Sequence, residues 1–480
     1  MRKKYNTREF GLLAIICISM FFIPLTITSS SIFNLYIMKR FDVGYTDAQW
    51  FINIFMIFYG AFLAISGAIS DFYGRKTIFN VGVCLFFSDF LVGGIANNYS
   101  IILIARAISG IGAAAMTTSG TALLAENISD GNKQKCFSIF GASLGAGMVA
   151  GPLIASKVNE LSTGWFNFSM FISVLLLIIM IFSVRLKDKS VPHKVSADWP
   201  GSILLTACLL SIVLWLSFFP VWGWDDFKSI FCILFSCGTL FYLLRVEKKS
   251  NNPIIKISIL KNKIFVSMCM TSLMLGLGFI SILFYIPFFL KSLRVFTDLD
   301  IGIATTIATL PSFLIPPAIA NVREKVSGTA LLFSTLIFLV ISPLILCFVL
   351  GSYDISSYYV PLFLLGCSFG ISLSFLDGMA VSSIPLRYAG VASGTFNTFR
   401  IGGEAISIPF VSSFIMYLNA QINKNDTLNF LVSHVYKKEN ILFVTMDIIL
   451  IFISLFCFLL SIYVVRTMLE GKKEEVSNVI

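Results

Sequence analysis

The sequence predicts an all-α membrane protein of about fourteen transmembrane helices. Three observations predict it. Of the 480 residues, 57% are hydrophobic and only 12% charged. The apolar residues run in long continuous stretches that do not alternate at period two. Lys and Arg gather in the short segments between those stretches. A soluble domain carries about a quarter charged residues, so this chain has too little polar surface to face water. In a bilayer every backbone donor and acceptor needs an internal partner, which helices and closed barrels both supply, and long unbroken runs select helices.

A span takes roughly 20 apolar residues. Within residues 1–184, six candidate spans lie at about 10–34, 48–70, 78–96, 100–122, 137–158 and 167–184. Residues 185–263 hold two more, at about 200–219 and 228–245, flanked by polar segments. Residues 264–480 hold the last six, at about 264–290, 300–320, 328–350, 357–380, 394–417 and 441–465. The first run, behind Met1-Arg2-Lys3-Lys4, is longer than the roughly 7–15 residues of a signal-peptide core and has no small-residue cleavage site, so a retained helix is expected.

Charge sets the orientation. With an even number of spans and both termini in the cytoplasm, 24 Lys and Arg fall in cytoplasmic segments and nine in outer loops, with Arg106 and Arg400 inside or at the edge of spans. That bias follows the positive-inside rule and places the chain in a plasma (inner) membrane. The same rule accounts for the net charge of +10 without nucleic acid. The ten cysteines lie mostly within apolar runs and form no Cys-x-x-Cys pair, so they read as small apolar residues rather than metal ligands. No metal, cofactor or nucleotide is expected: no Gly-x-x-x-x-Gly-Lys-Ser loop appears, and no nucleophile–base pair marks an enzyme. Trp222 and Trp224, beside Asp225 and Asp226, are expected to anchor the outer interface. The loop at about 418–440, with Asp426 and His434, is expected to be solvated.

Three motifs carry more than topology. Gly67-Ala-Ile-Ser-Asp71-Phe-Tyr-Gly74-Arg75-Lys76 lies between spans 2 and 3. Its glycines permit a tight turn, and Asp71 and Arg75 set opposite charges at helix ends, where a latch between helices can form. Arg106, in Ile104-Ala-Arg-Ala-Ile-Ser-Gly110-Ile-Gly112, is a charge at a depth where charges are costly and usually functional. Gly147-Met-Val-Ala-Gly151-Pro152 in span 5 combines small residues for close packing with a proline that bends a helix. The first motif strongly resembles the signature loop of the major facilitator superfamily. Arg106 resembles its buried arginine in span 4, and the third motif that of its antiporter branch.

Ala197-Asp198-Trp199-Pro200-Gly201 and Gly390-Val-Ala-Ser-Gly394-Thr-Phe-Asn397-Thr-Phe-Arg400-Ile-Gly402-Gly403 add to the likeness. Together they make the chain, over about residues 10–465, similar to the fourteen-span drug:proton antiporters. The resemblance implies the major facilitator fold: two six-helix bundles, spans 1–6 and 9–14, with an inserted pair, and a degenerate second signature loop at Glu324-Lys325. It implies a proton-coupled carrier that exports small amphipathic molecules as a monomer. One departure stands out. Where the family carries an acid in span 1, this chain reads Pro24-Leu-Thr26-Ile-Thr28-Ser-Ser-Ser31, which also suits a carrier of one metabolite or siderophore. A receptor that moves nothing is a further alternative, and the retained motifs speak against it.

Proton coupling needs a buried group that gains and loses a proton. The candidates are Glu404, Asp89, Asp377 and Asp447. Glu404 ranks first because it stands one turn from Arg400 on the same helical face. That pair is either a switching salt bridge or a static ion pair at the membrane edge. Asp89 ranks second, mid-span among Phe86, Phe87 and Phe90. Asp377 and Asp447 lie close enough to span ends to be structural or solvated. Arg106 is expected to hold an anionic group, tune a carboxylate or pair within the bundle. Thr26, Thr28 and Asn34 are expected to line the cavity in place of the missing acid.

Overall fold

The computed structural model describes residues 7–128, 130–159, 164–185, 198–250, 253, 255–256, 258–322, 326–385, 389–424 and 441–477. Among these residues every regular element is helical. The first six are α1 (Thr7–Phe41), α2 (Tyr45–Tyr73), α3 (Arg75–Ile95), α4 (Tyr99–Asn127), α5 (Asp130–Asn159) and α6 (Gly164–Val184). The pair α7 (Trp199–Trp222) and α8 (Phe227–Lys249) follows. The last six are α9 (Lys263–Ser292), α10 (Asp298–Val322), α11 (Gly328–Val349), α12 (Tyr359–Ser382), α13 (Ala389–Lys424) and α14 (Ile441–Ser477). Thirteen are each long and apolar enough to cross a membrane, and α2, bent by 52° between Trp50–Leu63 and Ile65–Tyr73, makes the fourteenth. Fourteen crossings bring both chain ends to one face, here the terminal face; the opposite one is the far face.

Helix starts are set by short polar side chains that accept from the otherwise orphaned N–H groups of the first turn. Asn98 accepts from Ser100 N at α4, Asp198 from Gly201 N at α7, Asp226 from Lys228 N at α8, Asn262 from Phe265 N at α9 and Ser327 from Ala330 N at α11. Within the helices, serine and threonine hydroxyls turn back onto carbonyls one turn earlier, as Thr28 does to Pro24 at 2.9 Å and Ser30 to Thr26 at 2.6 Å. A hydroxyl in lipid has no water to bond, and this is the partner always at hand.

Two departures from the expected spans have local causes. α1 runs from Thr7 to Phe41, several residues past the expected 10–34 at each end, because Met38, Lys39 and Arg40 continue the helix. α9 is interrupted by a π-turn at Gly276–Ile280, where Gly276 and Gly278 give the backbone more freedom to leave the α-helical hydrogen-bond register.

Within the first group, α3 packs on α4 and α6, α1 on α5 and α2 on α4. Within the last group, α10 packs on α12, α11 on α12 and α14, and α9 on α13 and α14. The groups meet along three lines: α5 with α10, α2 with α13, and α1 with α9. The α5–α10 line closes where Gly145 approaches the Ser312 carbonyl and Gly302 approaches Ser156. On the α1–α9 line, Ile27, Thr28 and Ser31 line a crevice of about 10 Å³, room for little more than one water, with Pro152, Ile280, Leu283 and Phe284. These closures lie at mid-membrane or toward the far face. On the terminal half, Gly67, Gly141 and Gly394 face open space. The groups therefore meet at the far side and part toward the terminal side.

Candidate functional site

The deepest charges of the first group are brought together by backbone approach. Gly82 of α3 and Gly112 of α4 face each other so closely that a Cβ on Gly82 would stand 2.8 Å from the Gly112 carbonyl. Two turns further along this contact, Asp89 and Arg106 form an ion pair at 3.3 Å, each side chain 1% exposed. Ser109 donates to Asp89 Oδ2 at 2.9 Å, and Arg106 Nη2 donates to Ser30 on α1 at 3.2 Å. The guanidinium lies 4.0 Å from the Phe51 ring centroid and 5.3 Å from that of Trp165, whose indole N–H is fixed by the Gly93 carbonyl at 2.9 Å. Aromatic faces attract a desolvated cation. Even so, among the described residues Asp89 Oδ1 and Arg106 Nε have no hydrogen-bond partner, and Arg106 Nη1 has only its 3.3 Å ion-pair contact with Asp89 Oδ2. A buried pair so incompletely satisfied is poor as a stabilising device.

The last group carries the second site. Among the described residues the ion pair of Arg400 goes to Asp377 and not to Glu404, which stays within electrostatic range of Arg400. Arg400 Nη1 reaches across to Asp377 on α12 at 2.8 Å, and its Nη2 donates to Asn397 at 2.7 Å. Asp377, expected near the end of its span, is indeed 47% exposed, yet it is engaged. Glu404 has a direction of its own. Ile401 and Ala405 lie against Gly60 of α2, Leu209 of α7 lies at Gly402, and Gly403 and Ser407 lie against Leu273 and Gly276 of α9. At 100° per residue, position 404 falls between the faces turned to α2 and α9. Position 404 therefore lies on the face between α2 of the first group and α9 of the last. Tyr59 of α2, held by Thr117 of α4 at 3.1 Å, stands within electrostatic range of both Glu404 and Arg400.

The remaining predicted residues fall as follows. Asp447 of α14 is half-buried with Oδ1 unpartnered, within range of Tyr358 near the far face, and apart from both charge sites. Thr26 is buried with its hydroxyl unpartnered. Thr28 lines the far-side crevice, and its hydroxyl is turned back to Pro24. The side chain of Asn34 lies outside the described residues, as do Glu324, Lys325, Asp426 and His434. Gly147 and Gly151 seat α5 on α1, where a Cβ on Gly151 would come 2.7 Å from the Leu25 carbonyl. α5 continues as helix through Pro152.

In the α2–α3 loop, Gly74 takes φ +98°, a conformation that L side chains avoid. Arg75 then bridges Asp71 at 3.2 Å and Glu126 at 2.7 Å and donates to the Ala122 carbonyl at 3.2 Å, while Lys76 donates to the Val184 carbonyl at 2.9 Å. The cations close the C-terminal ends of α4 and α6, where helix dipoles favour them. Asp71, Gly74 and Arg75 thus lock the loop to its own group, and Gly67 remains open.

Ser30, Ser109, Tyr59, Thr117 and Asn397 were not singled out from the sequence. Ser109 and Asn397 stand three residues from an arginine on the same face, which is a readable signal. Ser30 is one hydroxyl in a run of several, and Tyr59 carries no local mark.

The arrangement of spans, loop and charges matches a known family. The profile of the Major Facilitator Superfamily fits residues 14–408. The chain belongs to the major facilitator superfamily. It is a multi-pass membrane transporter. It is 24% identical to an uncharacterized major facilitator transporter, YvkA, of Bacillus subtilis (strain 168), over 84% of this chain and 90% of that one. It is 25% identical to Multidrug resistance protein 3 of the same organism, over 76% and 72%, and 23% identical to the riboflavin transporter RibZ of Clostridioides difficile (strain 630), over 85% and 88%. A crystal structure of the peptide-transporter-family protein PepTSo shares its fold at a TM-score of 0.66 and 14% identity, covering 98% of this chain and 99% of that one.

Proposed function

We propose that this major facilitator protein exports small amphipathic molecules from a bacterial cell, driven by protons, with the termini in the cytoplasm. The two helix groups rock as bodies and expose the space between them to each face in turn. The observation that carries the reading is Glu404. It is an intramembrane carboxyl on the helix face between the groups, and the ion pair of Arg400 goes to Asp377 and leaves Glu404 free to change its proton. A carboxyl so placed can take a proton on one side and release it on the other, because rocking changes which face it sees. The Asp89–Arg106 pair, sealed within the first group, supplies a second charge whose separation or neutralisation accompanies the change of state. Multidrug resistance relatives support a broad, amphipathic substrate range.

The hydroxyl-rich, acid-free run Thr26–Ser31 favours a second reading, a carrier of one neutral or anionic metabolite, and a riboflavin-transporter relative supports it. Dye retention in inverted vesicles separates the two. Export of several unrelated amphipathic dyes under an imposed proton gradient, abolished by an uncoupler, is the expected result. Movement of a single metabolite with no dye transported would favour the second reading. Transport of neither, under either gradient, would leave the receptor class.

A further inference from the structure

The inserted pair does not sit apart from the two helix groups. α7 packs on both α2 and α13, along the line where the groups meet, and α8 packs against α7. Its attachment to α2 runs the full depth of the membrane. At the terminal end Trp199 meets Phe72 with ring centroids 6.5 Å apart; at mid-depth Thr206 donates to the Ala61 carbonyl at 2.6 Å; at the far end Phe218 lies 4.7 Å from Trp50. The closest contacts with α13 run from mid-depth, at Leu209 beside Gly402, to the far end, where Ser413 donates to the Leu216 carbonyl and Phe219 lies 5.8 Å from Tyr417. On the terminal stretch of α13, Gly394 meets nothing.

We propose that α7 and α8 travel with α2, and that α7 is the surface against which α13 closes the far face. Opening to the far side parts α13 from α7 and leaves the α2–α7 contact intact. Three observations lead there. The α2 contact follows that helix through its bend, so separating it would break packing at every depth. The closest α13 contacts lie from mid-depth to the far end, the half that opens. Apolar helices in lipid are not driven together by the hydrophobic effect, so close packing and hydrogen bonds decide which contacts hold. The Ser413 hydroxyl, together with the Phe219–Tyr417 contact, therefore contributes to the α7–α13 closure. From mid-depth to the far end the pair also covers the α2–α13 line from the bilayer, so a lipid-dissolved substrate has no sideways route on that half.

The inference rests on the alternating-access reading, but its test needs neither substrate nor proton gradient. Ser31 lines the closed far-side crevice, so maleimide labelling of Ser31→Cys in nanodiscs reports opening directly. Adding Ser413→Ala should raise the labelling rate about threefold or more, and adding Thr206→Val should leave it within about twofold, as expected for a shifted two-state equilibrium. No change with Ser413→Ala, or an equal rise with Thr206→Val, would overturn the assignment. A protein that moves no solute still answers this question, so failure of the transport reading is told apart.

Discussion

Asp89 and Arg106 hold each other in a medium that tolerates neither alone. Removing one partner leaves an uncompensated buried charge, while replacing both by apolar groups is often neutral. Asp89→Leu is therefore expected to lower stability in detergent by about 3–5 kcal/mol, and Asp89→Leu with Arg106→Met to recover most of it. Thermal unfolding followed by tryptophan fluorescence checks this. Equal losses in the single and double variants would show that the pair is not the unit. If the proposed function holds, the recovered double variant should still fail in proton-driven transport, the role proposed for the pair being in the cycle and not in the fold. At this scale the sequence was partly legible. Arg106 and Asp89 could be flagged by depth alone, since each is costly in lipid. Their pairing across helices was not, because 17 positions separate them and the Gly82–Gly112 approach that aligns them is visible only in three dimensions. The Arg400–Asp377 ion pair was hidden for a related reason. Spacing by four points to Glu404, and the ion pair goes to a carboxylate on a neighbouring helix.

Helix contacts made by glycine are the next level of control. A Cβ on Gly82 would press on both the Gly112 carbonyl and the Met116 amide at 2.8 Å, which are backbone atoms that cannot turn aside. Gly82→Val should cost about 1–3 kcal/mol through overpacking and also loosen the Asp89–Arg106 pair. Gly74→Ala forces a side chain into a backbone region reserved for glycine and should cost about 1–3 kcal/mol, with Arg75 drawn off Glu126. Gly67→Ala, by contrast, fills open space and should leave thermal stability unchanged. Unfolding midpoints of the three variants give the order directly, and an equal loss in all three would contradict it. The motif glycines were legible because their spacing is distinctive. The π-turn in α9 was not, since Gly276 and Gly278 sit in an apolar run that reads equally well as unbroken helix.

Across the whole molecule, fourteen helices could be counted from apolar runs and polar breaks because the bilayer fixes span length. The bend in α2 and the seat of α7 between α2 and α13 could not. Both depend on which helices become neighbours, and hydropathy records only depth. The same limit applies to function. The chain's features fix a transporter of this superfamily, and the substrate depends on the shape of a space that opens only as the halves move. Glu404 lies on the helix face between those halves, so its role separates two steps that a static arrangement combines. Net proton-driven transport requires its proton to come and go. Exchange of substrate between the two faces requires only rocking. The decisive measurement is made on Glu404→Gln in proteoliposomes, comparing proton-driven accumulation of a transported dye with its counterflow exchange in the absence of a gradient. The account predicts that accumulation is lost while exchange persists. Accumulation at the wild-type level in Glu404→Gln would contradict it.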